Sequence, residues 1–335
     1  RPDSLLSIAI AGALITGISG QDGSYLAESL LDSGFEVHGT VRRSSLEIPE
    51  AKLARISTIL DKLTLHPCSL ESQTGLFEIV RGVRPDYLYH LGAQSFVSYG
   101  FEDEYATLET NLGSTHALLS AVLKFVPECR FYFAASSEMF GHSETTPQNE
   151  STPFNPRSVY GISKLAGFHL NKAFRENEGI FSCAGILYNH ESPRRGKEYV
   201  TQKIITQAVA IHRGLGKEIR LGNIDARRDW GHAVDYVDAM RRINEASDPD
   251  DFIVASGQTH TVREFCEKTF AWLDLNFEDY LKIDPRFYRA SEKTTLCGDA
   301  SKAKRKLGWS ASRDLDSIIE EMVQKEIENT SDQIG

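Results

Sequence analysis

Short apolar runs alternate with amphipathic stretches along the first 190 residues of this chain. The strand-like runs occupy residues 13–16, 36–41, 63–65, 87–91, 131–135 and 182–187. Between several of them, apolar residues recur at helical spacing, as at residues 75–83 and 114–125. Strands that alternate with helices in this way predict an α/β fold with a doubly wound parallel sheet.

A glycine-rich turn follows the first strand-like run, and a helical pattern begins directly after it. The turn consists of Gly17, Ile18, Ser19, Gly20, Gln21, Asp22 and Gly23. Glycines at this spacing let the backbone approach a pyrophosphate at the N-terminus of the helix. A connecting turn without a ligand is the alternative, but the position between strand and helix favours dinucleotide binding.

Basic and hydroxyl side chains follow the second strand, where NAD-binding proteins often carry an acidic residue. They are Arg42, Arg43, Ser44 and Ser45. Guanidinium and hydroxyl groups suit a ribose 2′-phosphate, so we predict NADP rather than NAD. A solvated basic turn is the alternative.

A Tyr-x-x-x-Lys pattern supplies candidate chemistry. On a helix, Tyr160 and Lys164 share one face, and a cation beside a phenol lowers the pKa of the phenol from about 10. The tyrosinate can then take a hydroxyl proton while a hydride leaves the same carbon. Ser136 would orient that oxygen, and Glu138 adds a second base that alcohol oxidation alone does not need.

Further polar residues follow the fourth and fifth strands. They are Leu91, Gly92, Ala93, Gln94 and Ser95 after the fourth strand, and Ser136, Ser137 and Glu138 after the fifth. Open α/β sheets bind ligands at the carboxyl edge of their strands, so we expect both groups to face one crevice.

Charge and composition exclude several classes of protein. The 335 residues carry 37 basic and 47 acidic side chains, a formal net charge of −10, which argues against nucleic-acid binding. No apolar run reaches membrane-spanning length, and residues 5–11 merge into the first strand, so we do not interpret them as a signal peptide. The five cysteines are scattered without a Cys-x-x-Cys pair, so we expect reduced thiols, no metal site and a cytoplasmic location.

With these motifs in place, the chain resembles the extended short-chain dehydrogenase/reductase superfamily and, within it, the GDP-mannose 4,6-dehydratase family. The matching stretches are residues 13–28, 41–45, 91–95, 137–138 and 156–158, and the more specific residues 189–196 and 221–232. The resemblance spans about residues 13–310.

The resemblance implies two domains. Residues 12–188 would mainly form an NADP-binding Rossmann domain. Residues 189–325 would mainly form a smaller C-terminal α/β domain for the nucleotide sugar, with a segment at about residues 221–260 crossing back to the first domain.

The resemblance also implies roles for individual residues. Besides the glycine turn, Arg42–Ser45 and residues 91–95, the predicted NADP contacts are Ser69, Leu70, Tyr105, Lys164, His190 and Arg195. The implied catalytic residues are Ser136, Glu138, Tyr160 and Lys164. The implied nucleotide-sugar contacts are Ser95, Ser137, Asn189, Val200, Lys203, Leu221, Gly222, Arg228, Arg289 and Glu292. Independently, Arg194, Arg195, Lys203 and Arg228 supply cations that suit a nucleoside diphosphate, although surface ion pairs are the alternative.

Three departures from the family pattern leave the substrate open. Residues 68–70 are Cys-Ser-Leu instead of Gly-Asp-Leu, which removes charge assistance at the adenine and predicts weaker NADP binding. Ser136 replaces a threonine, and residues 289–292 are Arg-Ala-Ser-Glu instead of Arg-Pro-Thr-Glu. A related sugar such as a GDP-heptose therefore stays possible.

The implied reaction converts GDP-mannose to GDP-4-keto-6-deoxymannose and water without net consumption of NADP. The alternatives are an epimerase or decarboxylase of the same superfamily, or an NADP-binding regulatory protein, which usually lacks the Tyr or the Lys. Apolar faces at residues 113–125 and 158–175, together with the resemblance, imply a homo-oligomer. It would be a dimer through a four-helix interface, or a tetramer closed by the Arg42–Ser45 loop; burial against the sheet is the alternative.

Overall fold

The computed structural model describes residues 10–95, 101–287 and 295–331, except for the side chains of residues 101–103. The described strands are β1 (Gly12–Thr16), β2 (Glu36–Val41), β3 (Leu63–Pro67), β4 (Tyr87–His90), β5 (Arg130–Ser136), β6 (Ser182–Leu187), β7 (Asn189–Glu191), β8 (Ile219–Leu221), β9 (Arg227–His232), β10 (Asp251–Val254), β11 (Thr259–Thr261) and β12 (Leu281–Ile283). The described α-helices are α1 (Gln21–Asp32), α2 (Arg43–Glu47), α3 (Pro49–Lys52), α4 (Gln73–Val83), α5 (Phe101–Phe125), α6 (Val159–Glu178), α7 (Val200–His212), α8 (Ala233–Asn244), α9 (Val262–Trp272), α10 (Ser301–Leu307) and α11 (Leu315–Ser331).

The large sheet has seven parallel strands in the order β10-β6-β5-β4-β1-β2-β3. β6 is buried at every position and β5 at all but its first, as expected for strands covered on both faces. Helices α1 and α8 pack on one face of the sheet, and α4, α5 and α6 pack on the other. The predicted doubly wound parallel sheet is confirmed.

Helix α5 extends far beyond the predicted residues 114–125, because it begins at Phe101. Its first half buries the polar side chains of Thr107, Thr110 and Asn111, so the apolar spacing that marks a core helix is interrupted there. Asn111 bonds to the loop after β4, as described below, and Thr110 donates to Glu71 at 3.4 Å.

A smaller lobe has its own core, which is built from α7, α9, α11 and the short strands β8, β9 and β12. β8 pairs with β12, and β9 lies between β7 and β11. Residues 233–254, which form α8 and β10, return to the large sheet. β8 and β9, in contrast, pair within the two small sheets. Within the described residues, no helix combines the length and apolar character needed to cross a membrane.

Candidate active site

The glycine turn brings the ends of β1 and β4 together. Gly17 has a φ of 76°, and a Cβ at this position would lie 2.9 Å from the backbone nitrogen and Cα of Gly92. Only glycine combines this left-handed conformation with such a close approach. Helix α1 begins at Gln21, so its free N–H groups face the turn.

Asp22 and Gln21 connect the turn to the start of the smaller lobe. The Asp22 carboxylate lies 2.7 Å from Nε2 of His190, and Gln21 Nε2 donates to the backbone carbonyl of His190 at 3.2 Å. Burial alone would lower the pKa of His190, but the neighbouring Asp22 carboxylate raises it overall. This pair fixes β7 beside the predicted pyrophosphate site, which explains how His190 and the turn share one crevice.

The predicted 2′-phosphate residues lie at the carboxyl ends of β2 and β3. Arg42, Arg43 and Ser44 are exposed, whereas Ser45 is buried in the first turn of α2. The backbone N–H of Cys68 donates to the carbonyl of Val41 at 2.8 Å, which brings the loop of Ser69 and Leu70 next to Arg42. A Cβ on Gly92 would lie 3.2 Å from Leu70 Cδ1. Basic, hydroxyl and apolar groups therefore line one end of the crevice.

A buried asparagine, which the sequence analysis did not single out, holds the loop after β4. Asn111 Oδ1 accepts from the Gln94 backbone N–H at 2.8 Å, and Nδ2 donates to the Gln94 carbonyl at 3.2 Å and to Ser163 Oγ at 3.0 Å. The Ser163 hydroxyl in turn donates to the Tyr160 carbonyl at 2.8 Å. Asn111 thus links the loop that carries Ser95 to the helix that carries Tyr160.

His90 is a second buried polar residue that the sequence analysis missed. Its Nδ1 lies 2.8 Å from Thr16 Oγ1, and its Nε2 lies 3.1 Å from Thr115 Oγ1. Burial, aided by the nearby Lys164, lowers the pKa of His90 to about 3, so the ring is neutral. It connects β1, β4 and α5 beneath the crevice. No local pattern distinguishes His90 or Asn111 from other polar residues, because both act through distant partners.

The predicted catalytic residues converge where β5 ends and α6 begins. Tyr160 hydrogen bonds to Ser136, and the Lys164 Nζ donates to the Ala134 carbonyl at 2.8 Å. Lys164 Nζ lies 5.8 Å from the centre of the Tyr160 ring. Gly161 allows this convergence, since a Cβ there would lie 2.7 Å from the carbonyl oxygen of Glu138.

The protonation of this group differs from the prediction. Burial raises the pKa of Tyr160, and the neighbouring Tyr199 and Glu138 raise it further, whereas the Ser136 bond and Arg195 lower it. Burial also lowers the pKa of Lys164 to about 8. The expectation that the ammonium lowers the phenol pKa is therefore wrong for the polypeptide by itself, because the cost of burying a phenolate exceeds the nearby stabilising interactions.

Glu138 lies on the open side of the site. Its side chain is exposed, its backbone N–H donates to Ser136 Oγ at 3.2 Å, and its charge acts directly on Tyr160. Ser137, in contrast, is buried. The carboxylate that the sequence predicts as a second base therefore lies beside the phenol with one side open for a substrate.

The segment before α7 adds two residues to this rim. Arg195, a predicted cofactor residue, stacks its guanidinium 3.6 Å from the centre of the Tyr199 ring and pairs with the buried Glu191, with Nε 3.1 Å from Oε2. The Tyr199 hydroxyl lies 3.0 Å from Ser95 Oγ. Neither Tyr199 nor Glu191 was a predicted site residue. Tyr199 directly precedes Val200, a predicted nucleotide-sugar contact, and this position in the sequence could have indicated it.

The predicted nucleotide-sugar residues extend from this rim into the smaller lobe. Val200 and Lys203 lie on the first turn of α7, and Lys203 Nζ donates to the Arg220 carbonyl at 3.0 Å. Asn189 lies in β7, Arg228 in β9, and Leu221 ends β8 just before Gly222. Arg289 and Glu292 fall outside the described residues.

Two predictions are not supported by the placement of the side chains. Arg194 does not face the crevice as a phosphate-binding cation, because its guanidinium pairs with Glu28 at 2.6 Å and stacks 4.0 Å from the ring of Tyr25, both on α1. Tyr105 is 64 % exposed and lines a groove between α5 and α6 with His116 and His169. The structure does not bring it together with the residues of the crevice.

Comparisons with known proteins agree with this arrangement. A family model described as GDP-mannose 4,6 dehydratase matches residues 14–322. GDP-mannose 4,6 dehydratase 2 of Arabidopsis thaliana is 43% identical over 94% of this chain and 87% of its own length. The GDP-mannose 4,6 dehydratase of Homo sapiens is 41% identical, with coverage of 94% and 91%, and that of Vibrio cholerae is 39% identical, with coverage of 94% and 93%.

Solved structures share the fold. A dTDP-glucose 4,6-dehydratase from Bacillus anthracis in complex with NAD superposes with a TM-score of 0.82 at 19% identity, covering 96% of this chain and 98% of that one. A UDP-glucose 4-epimerase from Thermotoga maritima gives 0.81 at 22% identity, covering 96% and 99%. At these identities the likeness concerns the fold. The family match and the relatives' identity over nearly the whole chain decide the assignment: this chain belongs to the GDP-mannose 4,6-dehydratase family.

Proposed function

We propose that this protein is an NADP-dependent hydro-lyase that converts GDP-mannose to GDP-4-keto-6-deoxymannose and water. The observation that carries the proposal is the convergence of Ser136, Glu138, Tyr160 and Lys164 beside a dinucleotide-type glycine turn, in a chain of this family. Simple oxidation needs a phenol and an amine, whereas elimination of water also needs a base for a carbon-bound proton.

The glycine turn fits a dinucleotide. A side chain at Gly17 would fill the space between β1 and β4, and the N-terminus of α1 faces the same place. Arg42 and Arg43 would hold the 2′-phosphate of NADP, and Ser69 the adenine. When bound, the oxidised nicotinamide would accept a hydride from sugar carbon 4, return it to carbon 6 and favour the charged form of the nearby phenol.

Tyr160 would take the proton from the hydroxyl on carbon 4. Ser136, which already bonds to the phenol, would orient that hydroxyl. With its pKa near 8, Lys164 stays mainly protonated at neutral pH, and its ammonium would bind the nicotinamide ribose. The Ala134 carbonyl fixes this ammonium at the end of β5.

Glu138 would carry out the elimination. A ketone at carbon 4 acidifies the proton on carbon 5, and the exposed Glu138 carboxylate is free to remove it. The C–O bond at carbon 6 then breaks, and the leaving hydroxide takes the proton that Glu138 removed and departs as water. Carbon 5 is reprotonated as carbon 6 becomes a methyl group, so the redox balance closes within the sugar.

The smaller lobe would bind the nucleotide. Lys203 on α7 and Arg228 on β9 are cations that suit a diphosphate, and Ser95 and Ser137 would contact the sugar. Asn189, Val200, Leu221, Gly222, Arg289 and Glu292 complete the set that the family pattern implies.

We also propose that the enzyme works as a homo-oligomer in the cytoplasm. Helices α5 and α6 present exposed Tyr105, Leu108 and Ile162, beside a groove of about 700 Å³, and a second copy of these helices would cover this face. Arg42, Arg43 and Ser44 are exposed for a further contact that would make a tetramer. The five cysteines are unpaired, which suits a reducing compartment. Light scattering with chromatography distinguishes a monomer, a dimer and a tetramer.

The mass of the product tests the proposed reaction. Purified protein with NADP⁺ and GDP-mannose should give a product that is lighter by one water, without accumulation of NADPH. GDP-heptose and UDP-hexoses should react more slowly. Accumulation of NADPH with a ketone product would indicate a dehydrogenase, and loss of carbon dioxide from a UDP-uronate would indicate a decarboxylase.

A further inference from the structure

Tyr199 is a phenol that the reaction proposed above does not use, although three segments of the site surround it. Its ring lies directly before α7, where Val200 and Lys203 are predicted to hold the nucleotide sugar. Its hydroxyl reaches across to Ser95 Oγ at 3.0 Å, in the loop after β4. It also lies close enough to Tyr160 to contribute to the raised pKa of that phenol. The phenol therefore lies among residues that belong to the cofactor side, the sugar side and the proton-transfer group.

The Tyr199 ring is held in place by Arg195 and, through Arg195, by Glu191. The Arg195 guanidinium stacks 3.6 Å from the ring centre, which is the geometry of a cation–π contact. The buried Glu191, 1% exposed, pairs with Arg195 and accepts a hydrogen bond from Thr201. Because the guanidinium is neutralised by Glu191 and covers the ring, the orientation of the phenol is fixed before any ligand binds.

The hydroxyl, in contrast, is accessible. Ser95 is exposed, so water competes for the Tyr199–Ser95 hydrogen bond, and such a bond adds little to stability. If Tyr199 only linked two loops, its ring would not need to be fixed and its hydroxyl would not need to be accessible. A ligand-binding group has both properties, because a rigid side chain loses little entropy when its polar end finds a partner.

We propose that Tyr199 is a sugar-binding residue of this enzyme, whose hydroxyl exchanges its bond to Ser95 for a bond to a hydroxyl group of the hexose. The inference rests on the proposed function, since it assumes that the sugar lies between Ser95, Tyr160 and α7. The proposal adds to that function a contact that strengthens binding of the sugar and does not change binding of the nucleotide.

The test compares binding of GDP and GDP-mannose by calorimetry to the full-length protein loaded with NADPH, which cannot accept a hydride and so prevents turnover of GDP-mannose. Tyr199→Phe removes only the hydroxyl and keeps the ring under Arg195. We expect the Kd of GDP-mannose to rise about 5–20-fold, as for the loss of one hydrogen bond to a ligand, with the Kd of GDP changed less than twofold. The KM of GDP-mannose should rise similarly, with a smaller fall in kcat.

Tyr280→Phe is the matched control, because Tyr280 packs on Phe270 in the core of the smaller lobe. It should change neither Kd. Equal weakening of GDP and GDP-mannose by Tyr199→Phe, or no weakening of either, would overturn the proposal. This outcome is separate from failure of the proposed function, which the wild-type protein alone would reveal by forming no dehydrated product.

Discussion

Replacing Asn111 with Ala should disconnect the loop after β4 from the helix that carries Tyr160. The side chain is only 4% exposed and makes three hydrogen bonds, two to the backbone of Gln94 and one to Ser163. At a net value of about 0.5–1.5 kcal/mol each, their loss would cost about 3 kcal/mol. With an unfolding entropy of about 2 cal/mol/K per residue over the 335 residues, this corresponds to a fall in Tm of roughly 4 °C.

The same change should also reduce activity. Gln94 and Ser95 would no longer be fixed against α6, so kcat should fall about 10–100-fold and NADP binding should weaken. Calorimetric melting and steady-state kinetics, measured below the melting range, give both values. Asn276→Ala is the matched control, because Asn276 is exposed and makes no side-chain cap.

A lower Tm with unchanged kcat and unchanged NADP affinity for Asn111→Ala would refute the reasoning, since it would show that the bonds only stabilise the fold. Asn111→Asp separates the parts of the interaction. It keeps the acceptor for the Gln94 N–H but loses both donors and buries a carboxylate beside the Gln94 carbonyl, so its Tm should be no higher than that of Asn111→Ala.

Three further predictions concern the catalytic group. Glu138→Gln should keep nucleotide-sugar affinity and slow product formation about 10²–10⁴-fold, and an undiminished rate would exclude Glu138 as the base. The pKa of Lys164 in the folded protein is about 8, below its usual value of 10.5, so the cost of burying the ammonium is full below pH 8 and the free energy of unfolding should rise between pH 8 and 10.5. Because the ammonium is lost over the same range, kcat/KM should fall as pH rises through about 8. A kcat/KM profile that stays flat to pH 10 would contradict a role for the ammonium. Gly161→Ala should lower kcat at least tenfold, because its Cβ would meet the Glu138 carbonyl at 2.7 Å, whereas Gly82→Ala, with open space around it on α4, should stabilise by about 0.5–1 kcal/mol and leave kcat unchanged.

The local patterns predicted six of the seven strands of the large sheet and the places where they end, but they did not predict the edge strand β10. Buried parallel strands show as apolar runs, and a strand–glycine–helix unit has a strong signature, so Gly17 and the residues after β4 and β5 were predicted in the right place. The start of α5 at Phe101 was not predicted. The first half of this helix buries polar side chains that bond to distant partners, so apolar spacing does not mark it.

For the site, the sequence could not predict which partner each side chain contacts. Arg194 and Arg195 are adjacent in sequence, yet one turns to Glu28 on α1 and the other covers Tyr199. The sequence contains no signal that separates them. The direction of the Tyr160 pKa also depends on burial and on Tyr199, which only the folded arrangement brings together.

The transfer of a label within the sugar tests the central claim most directly. GDP-mannose that carries deuterium at carbon 4 would be incubated with the wild-type enzyme and NADP⁺, and the product would be analysed by NMR and mass spectrometry. Intramolecular dehydration predicts a product lighter by one water, with the deuterium on the methyl group of carbon 6 and a solvent-derived hydrogen at carbon 5. Deuterium recovered in NADPH, or a product that keeps its carbon 6 hydroxyl, would contradict the account.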